Sequence, residues 1–105
     1  MNNEPLKGHL DLLLLAIVAD KPAHGYAVIE RLRAQSGGLF DLPEGTIYPA
    51  LHRLEEQGLL KSRWVAAKPR RRRVYEITVK GEGALAKRRT EWKLFAKAIN
   101  TTMGA

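Results

Sequence analysis

Residues 45–65 decide the fold, and they read GTIYPALHRLEEQGLLKSRWV. Ile47, Leu51 and Leu54 recur at the three- and four-residue spacing of one helix face, which predicts an amphipathic helix. Gly58 ends this helix, because glycine readily adopts the left-handed conformation that follows a last helical turn. The residues after it favour a strand up to position 65. The stretch therefore predicts a helix that leads directly into a strand.

The beginning of this helix carries its own signals. Thr46 is the expected N-cap, with its hydroxyl accepting a hydrogen bond from the amide of Tyr48. Pro49 would then lie in the first turn, where its missing N–H costs nothing. The helix is therefore expected to begin near residue 46.

Downstream, the strand is expected to turn back on itself. A loop through Pro69 leads to a second strand at residues 72–77, where Val74, Tyr75 and Ile77 favour extended structure. The two strands predict a β-hairpin whose tip carries a cluster of basic side chains.

Three further helices are predicted around this unit. The first covers residues 6–19 and is apolar nearly all round, which indicates burial on more than one side. The second covers residues 24–36 and ends at a glycine pair, and residues 39–42 form a short apolar connector with a single strand bridge as one option. The last follows the N-cap Thr78 and runs to about residue 100. The order α-α-α-β-β-α predicts a mainly α fold with a small β-hairpin, the winged helix-turn-helix.

The net charge of +7 is concentrated in one segment. Residues 61–73 hold seven of the 18 basic residues and no acidic residue, so the remaining 11 basic residues equal the 11 acidic ones. A focused positive patch suits contact with the phosphates of a nucleic acid. The alternative interpretations are a solvated basic loop and a patch that contacts a membrane surface.

The helix and the hairpin together suggest how a DNA duplex would be bound. An α-helix fits the major groove and reaches base edges with its N-terminal residues, while wing arginines reach the backbone or the minor groove. The candidate DNA-binding residues are Thr46, Tyr48, Pro49, His52 and Arg53 on the helix, and Lys68, Arg70, Arg71 and Arg72 on the wing.

Several of these candidates have a structural alternative. Tyr48 fits equally a half-buried core aromatic, and His52 an ordinary surface histidine. Arg53 has a possible ion-pair partner in Glu56 on its own helix. The arginine run at residues 70–73 is also compatible with a solvated loop.

Other classes of protein are disfavoured. The chain has no cysteine, which excludes disulfides, thiolate metal sites and a cysteine nucleophile. His9, His24 and His52 lack the spacing of metal ligands, so no metal is expected. The sequence also has no nucleophile–base pair, no phosphate-binding glycine loop and no cluster of acids, so neither a cofactor nor an enzymatic activity is expected.

The longest apolar run, residues 12–19, is shorter than the ~20 residues that span a bilayer. A signal peptide is not expected, and the expected location is the cytoplasm.

The last helix carries a pattern suited to self-association. Leu85, Trp92 and Ile99 recur every seven residues, and Phe95 and Ala96 lie on adjacent stripes. This seam predicts a homodimer in which the last helix packs against the first helix of the partner. The expected division is a DNA-binding domain at residues 1–78 and a C-terminal dimerisation helix at residues 79–105.

Several motifs resemble the PadR family of transcriptional regulators over about residues 6–99. They are LKGHL at 6–10, HGY at 24–26, GTIYPALHRLE at 45–55 with its continuation EQGLL, and YEITVKG at 75–81. The resemblance implies a winged-helix fold, binding to an inverted-repeat DNA operator, and repression that an effector relieves. The chain is similar to the short members, whose C-terminal part is one long dimerisation helix. Four consecutive arginines after Pro69 depart from the family's wing and leave its conformation open.

The resemblance also concerns small molecules. In short PadR-like proteins the dimer interface can enclose an aromatic-lined cavity for flat hydrophobic compounds, and Trp92 stands where such an aromatic would lie. The alternative is that Trp92 only anchors the dimer. A further alternative for the whole chain is an architectural or nonspecific nucleic-acid-binding winged-helix protein, against which the shaped polar face of the third helix argues.

Overall fold

A computed structural model describes residues 6, 8–66 and 71–104 of the 105-residue chain. It contains four helices and three strands in these residues, in the order α1 (Leu10–Asp20), β1 (Ala23–His24), α2 (Gly25–Gln35), α3 (Glu44–Glu56), β2 (Leu60–Val65), β3 (Arg72–Ile77) and α4 (Val79–Thr102). The predicted order of three helices, a hairpin and a long last helix is confirmed.

The hairpin belongs to a three-stranded antiparallel sheet in the order β1-β3-β2. The long pairing runs from Leu60 opposite Ile77 to Val65 opposite Arg72, and Ala23 lies opposite Tyr75 on the other side of β3. The sequence analysis missed β1, because two residues are too few to show an alternating pattern. The bridge that it placed at residues 39–42 was wrong, since this connector forms no strand.

The hydrophobic core is formed by residues of the four helices and the three strands. Its fully buried members come from α1, α2, α3, β2 and β3 and share almost complete exclusion from solvent: Leu14, Leu15, Val18, Val28, Ile47, Leu51, Leu54, Leu60 and Tyr75. Burial of this much apolar surface is the main contribution to the stability of so small a domain. The core therefore sets how α3 and the hairpin lie relative to each other.

The beginning of α1 differs from its prediction. The helix starts at Leu10 and not at residue 6, because Gly8 adopts a φ of +88° and so interrupts a right-handed helix. Leu6 is nevertheless buried in the core.

The beginning of α3 also differs. The N-cap is Pro43 and not Thr46, and the Pro43 carbonyl accepts hydrogen bonds from the amides of Thr46 (3.0 Å) and Ile47 (3.1 Å). Pro49 therefore lies inside the helix and not in its first turn. The helix continues through it because a proline removes only one backbone bond, here to the carbonyl of exposed Gly45.

The beginning of α4 agrees with its prediction. The hydroxyl of Thr78 accepts a hydrogen bond from the amide of Gly81 (2.9 Å) and donates to the carbonyl of Gly58 (2.7 Å). This one side chain caps α4 and ties it to the turn after α3.

Candidate nucleic-acid interface

A groove of about 730 Å³ lies between the exposed face of α3 and the wing, which consists of β2, β3 and their connection. The N-terminus of α2 forms its third side. Side chains from all of these elements line it: His24, Tyr26, Glu44, Tyr48, His52, Trp64, Arg71, Arg72, Arg73 and Tyr75. The groove thus brings together residues that are far apart in the sequence.

The candidate residues of α3 differ in how far they are exposed to solvent. Thr46, Pro49 and His52 are exposed, and His52 lines the groove. Tyr48 is half-buried, with its ring packed directly against the backbone of Gly25 at the start of α2. Burial, with a smaller contribution from Glu44, raises the pKa of Tyr48, so its hydroxyl remains a hydrogen-bond donor at neutral pH. Tyr48 is therefore both a packing residue and a groove residue.

Arg53 points away from the groove. Its guanidinium donates to Asp11 of α1 at 2.7 Å, and Arg88 of α4 lies 3.9 Å from the same carboxylate. The predicted partner Glu56 does not form this ion pair. The ion pair joins α1 to α3 on the face where α4 packs.

The wing arginines make three distinct contacts. Arg71 lies over the indole of Trp64, with its guanidinium carbon 5.0 Å from the ring centroid. Arg72 approaches the imidazole of His24, with Nη1 2.9 Å from Nε2. Arg73 donates to Ser62 Oγ (2.6 Å) and pairs with Glu55 of α3 (3.4 Å). Lys68 and Arg70 lie outside the described residues.

The contacts of Arg73 fix the wing against α3. Ser62 Oγ in turn donates to Glu55 Oε2 at 2.6 Å, so a helix carboxylate, a β2 hydroxyl and a β3 guanidinium form one connected network. Networks that join elements hold them at a defined angle. On the outer face of the wing, the hydrogen bond from Arg63 lowers the pKa of Glu76.

His24 occupies the junction of α2 and the wing. Its Nδ1 accepts the amide of Ala27 (3.2 Å) and thereby caps α2. Burial, followed by the charges of Arg72 and Arg31, lowers the pKa of His24. A neutral ring with Nδ1 as acceptor carries its proton on Nε2, which therefore faces Arg72 as a second donor.

A second surface lies along α4. Leu85, predicted for the dimer seam, is 5% exposed and packs in the core of its own chain, so it is not available to a partner. Beyond Leu85 the same side of the helix is exposed to solvent, and Trp92, Phe95 and Ile99 are 42%, 52% and 40% exposed. Ala96 is half-buried. The seam predicted as one continuous stripe is therefore divided between the core and the surface.

Trp92 forms one wall of a cavity of about 400 Å³ between the beginning of α1 and the middle of α4. The imidazole of His9 meets it edge-on, with ring centroids 5.0 Å apart, and Phe95 lies 6.0 Å from it. Charged side chains complete the wall: Asp11, Arg88 and Glu91. An aromatic surface bordered by charges can accept a flat polar molecule.

Two features of other protein classes are absent from the described part of the chain. No group of three histidine, aspartate or glutamate side chains there converges as metal ligands. Nor is any helix among the described residues long and apolar enough to cross a membrane.

Comparison with known proteins assigns the chain to a family. The model of the "Transcriptional regulator PadR-like family" matches residues 14–87, which include the whole of the groove. This chain belongs to the PadR-like family of transcriptional regulators. The family consists of DNA-binding regulators and not of enzymes, in agreement with the sequence analysis.

Relatives support this assignment over nearly the full chain. The transcriptional regulator Rv3488 of Mycobacterium tuberculosis is 35% identical over 88 residues, covering 84% of this chain and 79% of its own length. A transcriptional regulator from Clostridium thermocellum has the same fold with a TM-score of 0.86, at 30% identity over 93% of this chain and 96% of its own. A PadR family regulator from Clostridium difficile R20291 has a TM-score of 0.79, at 31% identity over 91% and 99%.

Within this PadR-like chain, the structure adds groove residues that the sequence analysis did not select. His24, Trp64 and Arg73 were not among the candidates, although all three line the groove. For Trp64 a signal was present, since a tryptophan in a strand bordered by cations is unusual for a solvated wing. Arg73 belongs to the basic segment and His24 to the HGY motif, but only the tertiary contacts place their side chains in the groove.

Proposed function

We propose that this chain is a homodimeric repressor of an inverted-repeat DNA operator. The observation that carries the proposal is the groove, in which the exposed face of α3 and the wing cations Arg71 and Arg72 lie side by side. DNA recognition needs one group of residues for base edges and another for phosphates. The two sides of the groove fit these two roles.

On this proposal α3 lies in the major groove. Thr46, Pro49 and His52 face the bases from its exposed side, and the hydroxyl of Tyr48 reaches the same surface from its packed ring. Arg71 and Arg72 contact phosphates, and Lys68 and Arg70 extend this contact. Arg53 contacts DNA only if it leaves Asp11, so its contribution is expected to be small.

The proposed dimer interface is the uncovered part of α4. Trp92, Phe95 and Ile99 continue into exposed Met103, and such an apolar stripe favours a partner over water. Self-association by a two-fold axis would present two α3 helices to successive turns of a duplex, about 34 Å apart. Residues 79–105 then act as a dimerisation helix on a DNA-binding domain of residues 1–78.

We further propose that a small hydrophobic or aromatic effector releases the repressor from DNA. Support comes from the cavity between α1 and α4, where the indole of Trp92 is accessible. A flat molecule bound there would change the packing of α4 and so the spacing of the two α3 helices. As a DNA-binding regulator, the protein is expected to act in the cytoplasm, where bacterial DNA is found.

Selection of bound sequences from a random DNA pool tests the operator proposal. A palindromic consensus with half-sites about 10 base pairs apart is expected. Recovery of DNA without a consensus would instead favour the architectural or nonspecific winged-helix protein.

Tryptophan fluorescence tests the effector proposal. With Trp64→Phe, Trp92 is the only tryptophan of the chain. A flat aromatic dye such as ethidium is expected to quench this emission and to weaken DNA binding over the same concentration range. Ethidium also intercalates in DNA, so a chain that carries Trp92→Leu as well is the control. In this control the dye should weaken DNA binding only by intercalation and no longer by binding to the protein. If the dye weakens DNA binding equally in the unmodified chain and in the control, the proposal is contradicted.

A further inference from the structure

Trp64 is an exposed aromatic in the middle of a charged wing. It lies near the end of β2, opposite Arg73 in the register, and 55% of its surface is accessible. The guanidinium carbons of Arg71 and Arg73 lie 5.0 and 5.6 Å from the centroid of its ring. Both distances are within the range of a cation–π interaction.

The two arginines differ in what else they contact. Arg73 uses its N–H groups on Ser62 Oγ at 2.6 Å and on Glu55 at 3.4 Å. In the described part of the chain, Arg71 contacts the indole face and makes no hydrogen bond or ion pair with a side chain. Stacking occupies the plane of a guanidinium and leaves the N–H donors at its edge. Arg71 is thus held in place while its donors stay open to an anion.

The surroundings of Arg71 favour an anion of high charge density. Arg72 and Arg73 line the same groove, and Arg73 shares the indole with Arg71. Like charges that line one groove repel one another, and the negative face of the indole offsets only part of that repulsion. A phosphate oxygen of a duplex bound to α3 would offset the remaining repulsion among the arginines.

We propose that Trp64 is a positioning residue for DNA binding, which holds Arg71 over the groove so that its guanidinium meets a backbone phosphate. The inference rests on the proposed DNA-binding function and assigns a role within it to Trp64. An arginine ordered before binding loses less conformational entropy when the phosphate arrives. Arg73, by contrast, serves the structure of the wing through Glu55 and Ser62.

A double-mutant cycle on a fluorescein-labelled duplex of about 30 base pairs and random sequence, long enough for two successive turns, tests this inference. The variants are Trp64→Leu, Arg71→Ala and the two together. Trp64→Leu keeps an apolar side chain but removes the π face, and it is expected to weaken binding roughly three- to ten-fold. The double variant should bind no more weakly than Arg71→Ala alone, because the indole then has no guanidinium to position.

The salt dependence separates positioning from a general loss of structure. Arg71→Ala should reduce the slope of log affinity against log salt by about 0.9 for each phosphate that the variant no longer neutralises. Trp64→Leu should reduce it by the same amount, and Trp64→Phe, which keeps an aromatic face, should restore most of the slope. Additive losses in the cycle, or weaker binding with an unchanged slope, would overturn the inference.

A matched control is available in Leu39. It is also 55% exposed but does not line the groove, so Leu39→Ala should bind the duplex like the unmodified chain. Thermal unfolding of every variant tests whether the variant is folded. If the unmodified chain binds neither this duplex nor any sequence of the random pool, the proposed function is wrong. If it binds and Trp64→Leu binds equally well, only the role of Trp64 is wrong.

Discussion

At the scale of single residues, the contact between Tyr48 and Gly25 links the recognition helix to α2. A Cβ atom on Gly25 would lie 2.5 Å from Tyr48 Cζ and 2.8 Å from its hydroxyl oxygen, so the Tyr48 ring would have to move. Glycine therefore serves close approach here and not a special backbone angle. The two residues act as a single packing unit at the edge of the groove.

Gly25→Ala is expected to lower the free energy of unfolding by about 1–3 kcal/mol, because the new methyl group displaces the Tyr48 ring. Urea unfolding measures the change. In the double variant Gly25→Ala with Tyr48→Ala, the vacated space accepts the methyl group, so the decrease in stability should be smaller than the sum of the two single decreases. Additive decreases would mean that the two residues do not share this contact.

His52 is the residue for which base recognition is tested most directly, since it is exposed and lines the groove. His52→Ala is expected to reduce the discrimination between the selected operator and random DNA by about 1–3 kcal/mol, with no change in stability. Leu51→Ala is the opposite control: it removes a fully buried side chain of the same helix and should cost about 2–5 kcal/mol of stability. Unchanged discrimination in His52→Ala would mean that α3 does not read bases through this side chain.

At the scale of elements, the N-cap side chains of His24 and Thr78 determine where α2 and α4 begin. His24 caps α2 only when its Nδ1 is unprotonated. The pKa of His24 in the folded chain is lower than its ordinary value of 6.5, so the unfolded chain binds the proton more readily. The contribution of His24 to stability is therefore complete above about pH 6.5 and is lost as the pH falls through the lower folded value.

This pH dependence is measured by comparison with His24→Asn, which keeps a good N-cap and does not titrate. As the pH falls below about 6.5, the unmodified chain should lose stability relative to the variant, because the carboxylates titrate alike in both and cancel in the difference. Parallel stability curves in this pH range would show that His24 does not cap α2 in solution.

Two glycines in the first turns of α4 offer a comparison within one helix. A Cβ on Gly81 would lie 2.8 Å from Ile77 Cγ1 and would also overlap the carbonyl oxygen of Leu59. Gly83 is exposed, with no atom within 4 Å of the position that a Cβ would take.

Gly81→Ala should therefore separate α4 from the turn after α3 and lower the free energy of unfolding by about 1–3 kcal/mol or more. Gly83→Ala should raise it by about 0.5–1 kcal/mol, because alanine loses less conformational entropy than glycine in a helix. Thermal unfolding of both variants distinguishes the two effects. Equal effects of the same sign would contradict the close approach of Gly81 to Leu59.

At the scale of the whole molecule, α4 extends beyond the core that holds its beginning. Its 24 residues span about 36 Å, and only Gly81 and Leu85 among them are buried. The large apolar side chains beyond Leu85, which include Trp92, Phe95 and Ile99, are exposed to solvent in the single chain. This is the physical basis for the proposed dimer.

Ile99→Glu places a charge in the exposed stripe and should convert the dimer into monomers without unfolding the chain, because Ile99 is 40% exposed and outside the core. Light scattering measures the mass, and DNA binding should weaken along with it. Thr101→Glu adds the same charge two residues away, on the opposite side of the helix, and should leave the dimer intact. A dimer that survives Ile99→Glu would place the interface elsewhere.

Much of the architecture is determined by interactions between near neighbours in the sequence. The spacing of Ile47, Leu51 and Leu54 defines the buried side of α3, and Thr78 reaches an amide only three residues away. Signals of this range are present in any short window, so the element order and the family could be predicted from the sequence. The beginning of α3 could not, because Thr46 is the better N-cap by residue type, whereas the helix begins after Pro43, which caps it without a side-chain hydrogen bond.

The composition of the groove, by contrast, was decided by the tertiary structure. Arg53 meets Asp11 across 42 residues, Arg72 meets His24 across 48, and Arg73 meets Glu55 across 18. Such contacts depend on how the helices and the sheet pack around the shared core, and no local pattern encodes them. The same holds for the heptad stripe of α4. Its period determined that Leu85 and Trp92 lie on one side, and the end of the core determined that Leu85 is buried and Trp92 is exposed.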